Sequence, residues 1–215
     1  SEGEVLVPTG ATALIDVAAG GQLDINAAVS PVGLRCDMVP CTLDLQSQGS
    51  LRQLGAARPD LQLSNPLLAI SGSVQVGAGG LKVNAITQLS GAIEVQSGAQ
   101  LEAATVTLSG GELRGGGDVL GDVANTVGTV RPGSSPGILS VLGDSATLVM
   151  EVGGNTPGSG HDQLFVSGSA TLGGTLTVLD AGYTPVSPEV LTLVSAATGV
   201  GGTFATTNVP YASYQ

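Results

Sequence analysis

Along the chain, apolar and polar residues alternate with a period of two in short bursts, each opened by a glycine. The bursts are Gly21-Gln-Leu-Asp-Ile25, Gly72-Ser-Val-Gln-Val76, Gly91-Ala-Ile-Glu-Val95, Gly111-Glu-Leu113, Gly128-Thr-Val130 and Gly174-Thr-Leu-Thr-Val178. With Gly49-Ser-Leu51 included, the series up to residue 130 starts at 21, 49, 72, 91, 111 and 128, giving gaps of 28, 23, 19, 20 and 17 residues. Alternation of this kind, as at Leu23/Ile25 and Ile93/Val95, is the signature of a strand with one buried face. Each unit spans only three to five residues between Gly, Ser, Asn or Pro, too short to stand alone. Helix signals are nearly absent, because no ten-residue run keeps i, i+3, i+4 apolar spacing free of Gly and β-branched residues.

Short strands at a spacing of about 20 residues fit either a sandwich or a solenoid. A sandwich would carry Asn-Gly or Asp-Gly hairpin turns and aromatic cross-strand pairs. The sequence has neither. In a parallel solenoid each coil is two or three short strands joined by tight bends, and like residues stack on like residues in neighbouring coils. The pattern therefore predicts an all-β fold, a right-handed parallel β-helix (β-solenoid) of about 20 residues per coil, over residues 1 to about 130. With a rise of about 4.8 Å per coil, roughly nine coils make a rod about 45 Å long.

Composition narrows the interior. The 215 residues include 34 Gly and are 42% hydrophobic, 11% charged and 2% aromatic, with no Trp. Such a chain is too apolar for a disordered tail, and it lacks the unbroken apolar stretch that a membrane-spanning helix needs. No aromatic precedes Phe165, so the core of residues 1 to 164 must be layered small aliphatics. The net charge of −11 makes nucleic acid a poor partner, since phosphate affinity rests on Lys and Arg. Sparse acids on the coil exterior keep the rod soluble and discourage lateral sheet pairing. Residues 132–215 hold five acids and no Lys or Arg, whereas all six basic residues lie between 35 and 131. That asymmetry suggests a head-to-tail contact between copies.

The candidate chemistry is thin. Cys36 and Cys41 are too few, with one His, for a zinc site, and their spacing excludes Cys-x-x-Cys redox chemistry. A small-loop disulfide in an oxidising compartment and two unrelated thiols remain; the turn formers Asp37 and Pro40 favour the disulfide. Asp118 and Asp122 are expected to project outward between buried Val119 and Val123 rather than to act as an acid/base pair. His161 beside Asp162 is expected to be a solvated turn histidine before the strand 164–166, because no Gly-x-Ser-x-Gly elbow supplies a nucleophile. Gly115-Gly-Gly-Asp118 departs from the calcium nonapeptide spacing and does not repeat in tandem. No phosphate loop is present.

Residues 89–205 resemble the C-terminal stretch of passenger regions in autotransporter and filamentous-haemagglutinin-like surface proteins of Gram-negative bacteria. The likeness is carried by Thr105-Val-Thr-Leu-Ser-Gly-Gly-Glu-Leu-Arg-Gly-Gly-Gly-Asp-Val-Leu-Gly-Asp-Val123 and Gly128-Thr-Val-Arg-Pro-Gly-Ser-Ser-Pro-Gly-Ile-Leu139. It continues in His161-Asp-Gln-Leu-Phe-Val-Ser-Gly-Ser-Ala-Thr-Leu-Gly-Gly-Thr-Leu-Thr-Val178 and Gly199-Val-Gly-Gly-Thr-Phe204. Pro132-Gly-Ser-Ser-Pro-Gly137 is its most specific piece.

The resemblance implies a secreted, elongated β-helix at the bacterial cell surface without catalytic centre, cofactor or metal. It divides the chain into irregular N-terminal coils with the Cys36/Cys41 loop (1–88), regular coils (89–205) and a tail (206–215). The family's outer-membrane β-barrel would follow these coils; none occurs before Gln215, which suggests a trimmed, processed or otherwise exported chain, while the lack of a visible signal peptide at Ser1 fits a processed or trimmed secreted chain and a cytosolic one equally. The expected function is a surface stalk, adhesin or extracellular-matrix component whose glycan or protein partner the repeat does not identify. Two alternatives remain: a filament subunit assembling end to end through β-helix edges, for which Val5-Leu-Val7 would be an uncapped start, and a polysaccharide lyase or hydrolase. The enzyme reading is disfavoured because no two acids are adjacent, Lys occurs once and no aromatic lines the first 164 residues.

Overall fold

A computed structural model describes residues 5–6, 13–17, 22–25, 33–35, 41–45, 50–53, 60–62, 68–77, 80–133, 137–186 and 188–210, with side chains from residue 70 onward except at 138 and 140–146. Among the described residues the chain is all-β, and the strands pair in parallel. No helix among them is long and apolar enough to cross a membrane.

The strands fall into three ladders. The first runs from Val5–Leu6 through Gly33–Arg35, Asp60–Gln62 and Leu81–Val83 to Gln100–Leu108. It continues through Asp118–Asn125, Ile138–Val152 and Gln163–Val166 to Val194–Ala196. The second starts at Ala13–Val17, passes Cys41–Leu45, Leu68–Ile70 and Ile86–Gln88, and then shares the long strands with the first. It ends through Ser169–Asp180 on Gly199–Gly202. The third joins Gln22–Ile25, Ser50–Gln53, Ser73–Val76, Ala92–Val95, Glu112–Gly115 and Thr129–Pro132. It then uses the end of Ile138–Val152 and the second half of Ser169–Asp180. The first residues of the stretch read as a tail, Thr206–Asn208, close this ladder against Thr175–Thr177.

The glycine-led bursts of the sequence are the strands of this third ladder. Leu23 lies opposite Leu51, Leu51 opposite Val74, Val74 opposite Ile93, Ile93 opposite Leu113 and Leu113 opposite Val130. In the described side chains the column Val74, Ile93, Leu113, Val130, Leu148 and Leu176 is buried throughout. Parallel columns hold Leu81, Leu101 and Val119 on the first ladder, and Ile86, Val106 and Val123 on the second. Alternation therefore sends one aliphatic per two residues inward, and each such burial is worth about 1.5–3 kcal/mol. No aromatic contributes a fully buried side chain among the described residues.

The corner ahead of the third-ladder strand Ala92–Val95 explains its leading glycine. At Gly91 φ is +76°, and an added Cβ would lie 2.8 Å from the carbonyl carbon of Gly72 and closer still to its oxygen. Successive turns of chain thus approach at a distance only a hydrogen atom permits.

Outward positions carry polar side chains in rows. On the third ladder, Gln75, Glu94, Arg114 and Arg131 occupy one row. Arg114 donates to Glu94 from Nε at 3.2 Å and Nη2 at 2.9 Å, and pairs with Glu112 at 3.4 Å. The hydrogen bond to Glu94, opposed by partial burial, raises the guanidinium pKa above its ordinary value. On the first ladder Lys82 meets the opposing Glu102 at 2.8 Å. Because Arg114 remains 41% exposed, Glu94→Gln should cost no more than about 1 kcal/mol in low salt. That cost should vanish in 1 M NaCl, where the Debye length falls to about 3 Å; urea unfolding at the two salt concentrations measures it.

Candidate functional site

The chemistry-bearing groups are dispersed. Asp118 and Asp122 sit in the strand Asp118–Asn125 rather than in turns, at outward positions flanking buried Val119 and Val123. Asp118 lies opposite Gln100, and Asp122 opposite Thr105. Gly117 in the calcium-like stretch serves packing, since a Cβ there would come within 2.6 Å of the Ala99 carbonyl oxygen. Among the described residues no cluster of three His, Cys, Asp or Glu side chains could hold a metal ion. Cys36 and the side chain of Cys41 lie outside the described residues, and with them the disulfide; the backbone of Cys41 pairs with Ala13.

His161 corrects the sequence reading: it is 1% exposed, where a solvated turn histidine was expected, and Asp162 beside it is equally buried. The loop 153–160 folds back on itself through Gly153 N to Gly160 O (2.7 Å), Gly160 N to Thr156 O (2.6 Å) and His161 N to Thr156 O (3.1 Å). His161 Nδ1 lies 3.2 Å from Gly154 O, and its buried Nε2 has no hydrogen-bond partner in the described structure.

Asp162 acts as a clamp. Its Oδ1 accepts from Gly137 N (2.9 Å) and its Oδ2 from Glu151 N (2.8 Å), near the two ends of the strand Ile138–Val152. Its backbone joins the same points, Asp162 N donating to Glu151 O and Gln163 N to Gly137 O, each at 2.9 Å. A carboxylate rather than an amide suits the place because both partners are N–H donors. Burial nonetheless disfavours the charge more strongly than these bonds favour it. The Asp162 pKa is pushed up to about 6, with Glu151 raising and Arg131 lowering it to lesser degrees.

The sign of the resulting pH dependence follows from that direction. The folded state holds the Asp162 proton more tightly than the unfolded chain, whose Asp titrates near 3.8. The contribution to stability is therefore fully present below the unfolded value and lost as pH rises through about 6. Wild type should lose on the order of 2 kcal/mol relative to Asp162→Asn between pH 4 and pH 6.5. Urea titrations of both proteins across that window check this, and a constant difference between them would refute it.

A second polar cluster escaped the sequence reading. Glu189, in the segment between Asp180 and Val194, accepts from the Tyr183 hydroxyl, from Val186 N (3.1 Å) and from Asn155 Nδ2 (3.1 Å). These bonds hold its carboxyl below the ordinary range and, in return, hold the Tyr183 hydroxyl above its own. Gln163 Nε2 adds a bond to Thr192 O at 3.0 Å. The segment is thereby tied to the 153–160 loop at Asn155 and to the strand Gln163–Val166 at Gln163. The cluster is a structural tie: each polar group spends its bonds on chain contacts.

No family model, curated protein or solved structure matches the chain.

Proposed function

We propose that the chain is a right-handed parallel β-solenoid and serves as a secreted, non-catalytic structural element: a surface stalk, adhesin segment or extracellular-matrix component. The observation that carries this reading is the succession of three parallel ladders whose inward columns are aliphatic and whose outward charges pair from one strand to the next. Parallel strands joined within one sheet cross over right-handedly in about 98% of cases, which gives the hand. The spacing between paired residues is about 20 along the middle of the third ladder, as from Val74 to Ile93 to Leu113. It widens to about 30 at Leu176 and Thr207. Nine strand levels at about 4.8 Å each make a body about 40 Å long. In such a body function comes from reach and surface repetition, and Glu94, Arg114, Lys82 and Glu102 hold levels together. The location at a bacterial surface rests on the motif resemblance alone.

The test has two arms. Beads coated with the chain should be retained on an array of matrix proteins and surface glycans. The same chain, with and without Ca²⁺, should release no reducing ends or unsaturated sugars from a panel of acidic polysaccharides. Saccharide release abolished by a single Asp substitution would overturn the non-catalytic reading, and failure to bind any array component would overturn the adhesin reading.

A further inference from the structure

Residues 181–193 belong to no strand and leave the ladders between Ser169–Asp180 and Val194–Ala196. Each end of this segment is fixed. Asp180 Oδ1 accepts from Gly182 N (2.8 Å) and Tyr183 N (3.2 Å), while at the far end Leu164 N donates to Leu193 O (2.9 Å) and Gln163 Nε2 to Thr192 O. The middle is held differently. Among the described residues every hydrogen bond of 184–190 involves Glu189, and Val186 and Val190 beside it are 76% and 89% exposed. Gly182, at φ +92° with nothing within 4 Å of its Cβ position, supplies a pivot that no packing blocks. Tyr183 and Leu191 nevertheless pack, partly buried, against the core. The segment therefore covers apolar surface while its middle depends on one side chain to stay in place.

We propose that residues 181–193 form an acid-released strap, pivoting at Gly182 and latched to the loop 153–160 by the carboxylate of Glu189. The distribution of bonds sets the direction. Glu189 Oε1 accepts from Asn155 Nδ2, and Oε2 accepts from both the Tyr183 hydroxyl and Val186 N, so the latch uses both oxygens. A proton on either one takes up acceptor capacity there and removes the charge that strengthens all three bonds. No other charge intervenes at the latch: residues 153–160 contain no Asp, Glu, Lys, Arg or His, and within 181–193 only Tyr183 is titratable beside Glu189. The Tyr183 bond, then the Asn155 bond, hold the Glu189 carboxyl below its ordinary value of 4.5. Its contribution to the closed strap is therefore present at neutral pH and lost as pH falls through that lowered value. Asp162 responds with the opposite sign, since its pKa is raised. Acid thus frees the strap while the clamp between Gly137 and Glu151 tightens, which makes the opening local rather than a step of global unfolding. Release bares Tyr183 and Leu191, an apolar surface that is covered at neutral pH.

Two distances in the full chain test this. Spin labels carried by unnatural amino acids at Gln75 and Val190 follow the strap, and labels at Gln75 and Thr177 follow the ladders. Pulsed electron–electron resonance at about pH 7 and about pH 3 brackets the titration of Glu189. Wild type should give a narrow Gln75–Val190 distribution at neutral pH that broadens in acid, with the Gln75–Thr177 distance unchanged. Glu189→Gln, which carries no charge at either pH, should be broad at both and keep the same Gln75–Thr177 distance. At neutral pH thermolysin should cut Glu189→Gln between Val186 and Leu191 at least about tenfold faster than wild type, the factor expected from losing one hydrogen bond to a charged group. A Gln75–Val190 distribution that stays narrow in acid, Glu189→Gln cut no faster than wild type, or a Gln75–Thr177 distance that broadens together with the strap would overturn the inference.

Discussion

Gly91→Ala is expected to lower the unfolding free energy by about 3–5 kcal/mol, among the largest effects of adding one methyl group to this chain. The residue has φ +76°, which costs an L-residue about 1–2 kcal/mol. The added Cβ would also overlap the Gly72 carbonyl, which is backbone and cannot rotate aside. That carbonyl accepts from the buried Gln88 amide at 2.9 Å, so displacing it strands a donor worth about 1–3 kcal/mol. Gly98 provides the control, since it has nearly the same φ, +77°, but nothing within 4 Å of its Cβ position. Gly98→Ala should cost only the backbone share, about 1–2 kcal/mol. Urea denaturation of both variants measures the difference, and equal losses would mean that close approach of successive levels plays no part.

Leu113→Ala is the second large effect, with an expected loss of about 2–5 kcal/mol. Leu113 is fully buried between Ile93 and Val130 in the third-ladder column. The cavity it leaves is lined by side chains fixed in register by the parallel pairing. Because Ile93 touches the same space, the double variant with Ile93→Ala should show a coupling of about 0.5–3 kcal/mol. Leu120→Ala, at an outward position 44% exposed, should stay within about 0.5 kcal/mol of wild type. Thermal and urea unfolding of the set decide the point; Leu113→Ala and Leu120→Ala behaving alike would remove Leu113 from the core.

The third ladder from Gln22–Ile25 to Thr129–Pro132 was legible in the sequence because its strands are marked locally, whereas the end of Ile138–Val152 and Thr206–Asn208 carry no leading glycine. The corner before Ala92–Val95 admits only glycine, and the alternation that follows must aim Ile93 and Val95 inward. The first and second ladders were not legible, because Gln100–Leu108 and Asp118–Asn125 each run across both as one continuous strand, the first with Ala103-Ala104 at the division and the second with a single Gly121 that opens no recognisable burst. The burial of His161 and Asp162 was hidden for a different reason. Set among glycines and serines they look solvated, but what covers and bonds them comes from Gly137, Glu151 and Gly154, up to 25 residues away in sequence. The Glu189 tie to Asn155 spans 34 residues and carries no local pattern at all.

The central claim is that successive strands stack level on level along one axis, and distances along one outward row test it most directly. Spin labels carried by unnatural amino acids, which leave Cys36 and Cys41 untouched, can be placed in the row through Gln75, Glu94, Thr177 and Asn208. At about 4.8 Å per level, Gln75 to Asn208 should measure about 29 Å, Gln75 to Thr177 about 24 Å and Glu94 to Thr177 about 19 Å by pulsed electron–electron resonance. Separations that shorten by one level at each step are the predicted result; separations that do not follow the levels, or that exceed about 40 Å, would contradict the stacked arrangement.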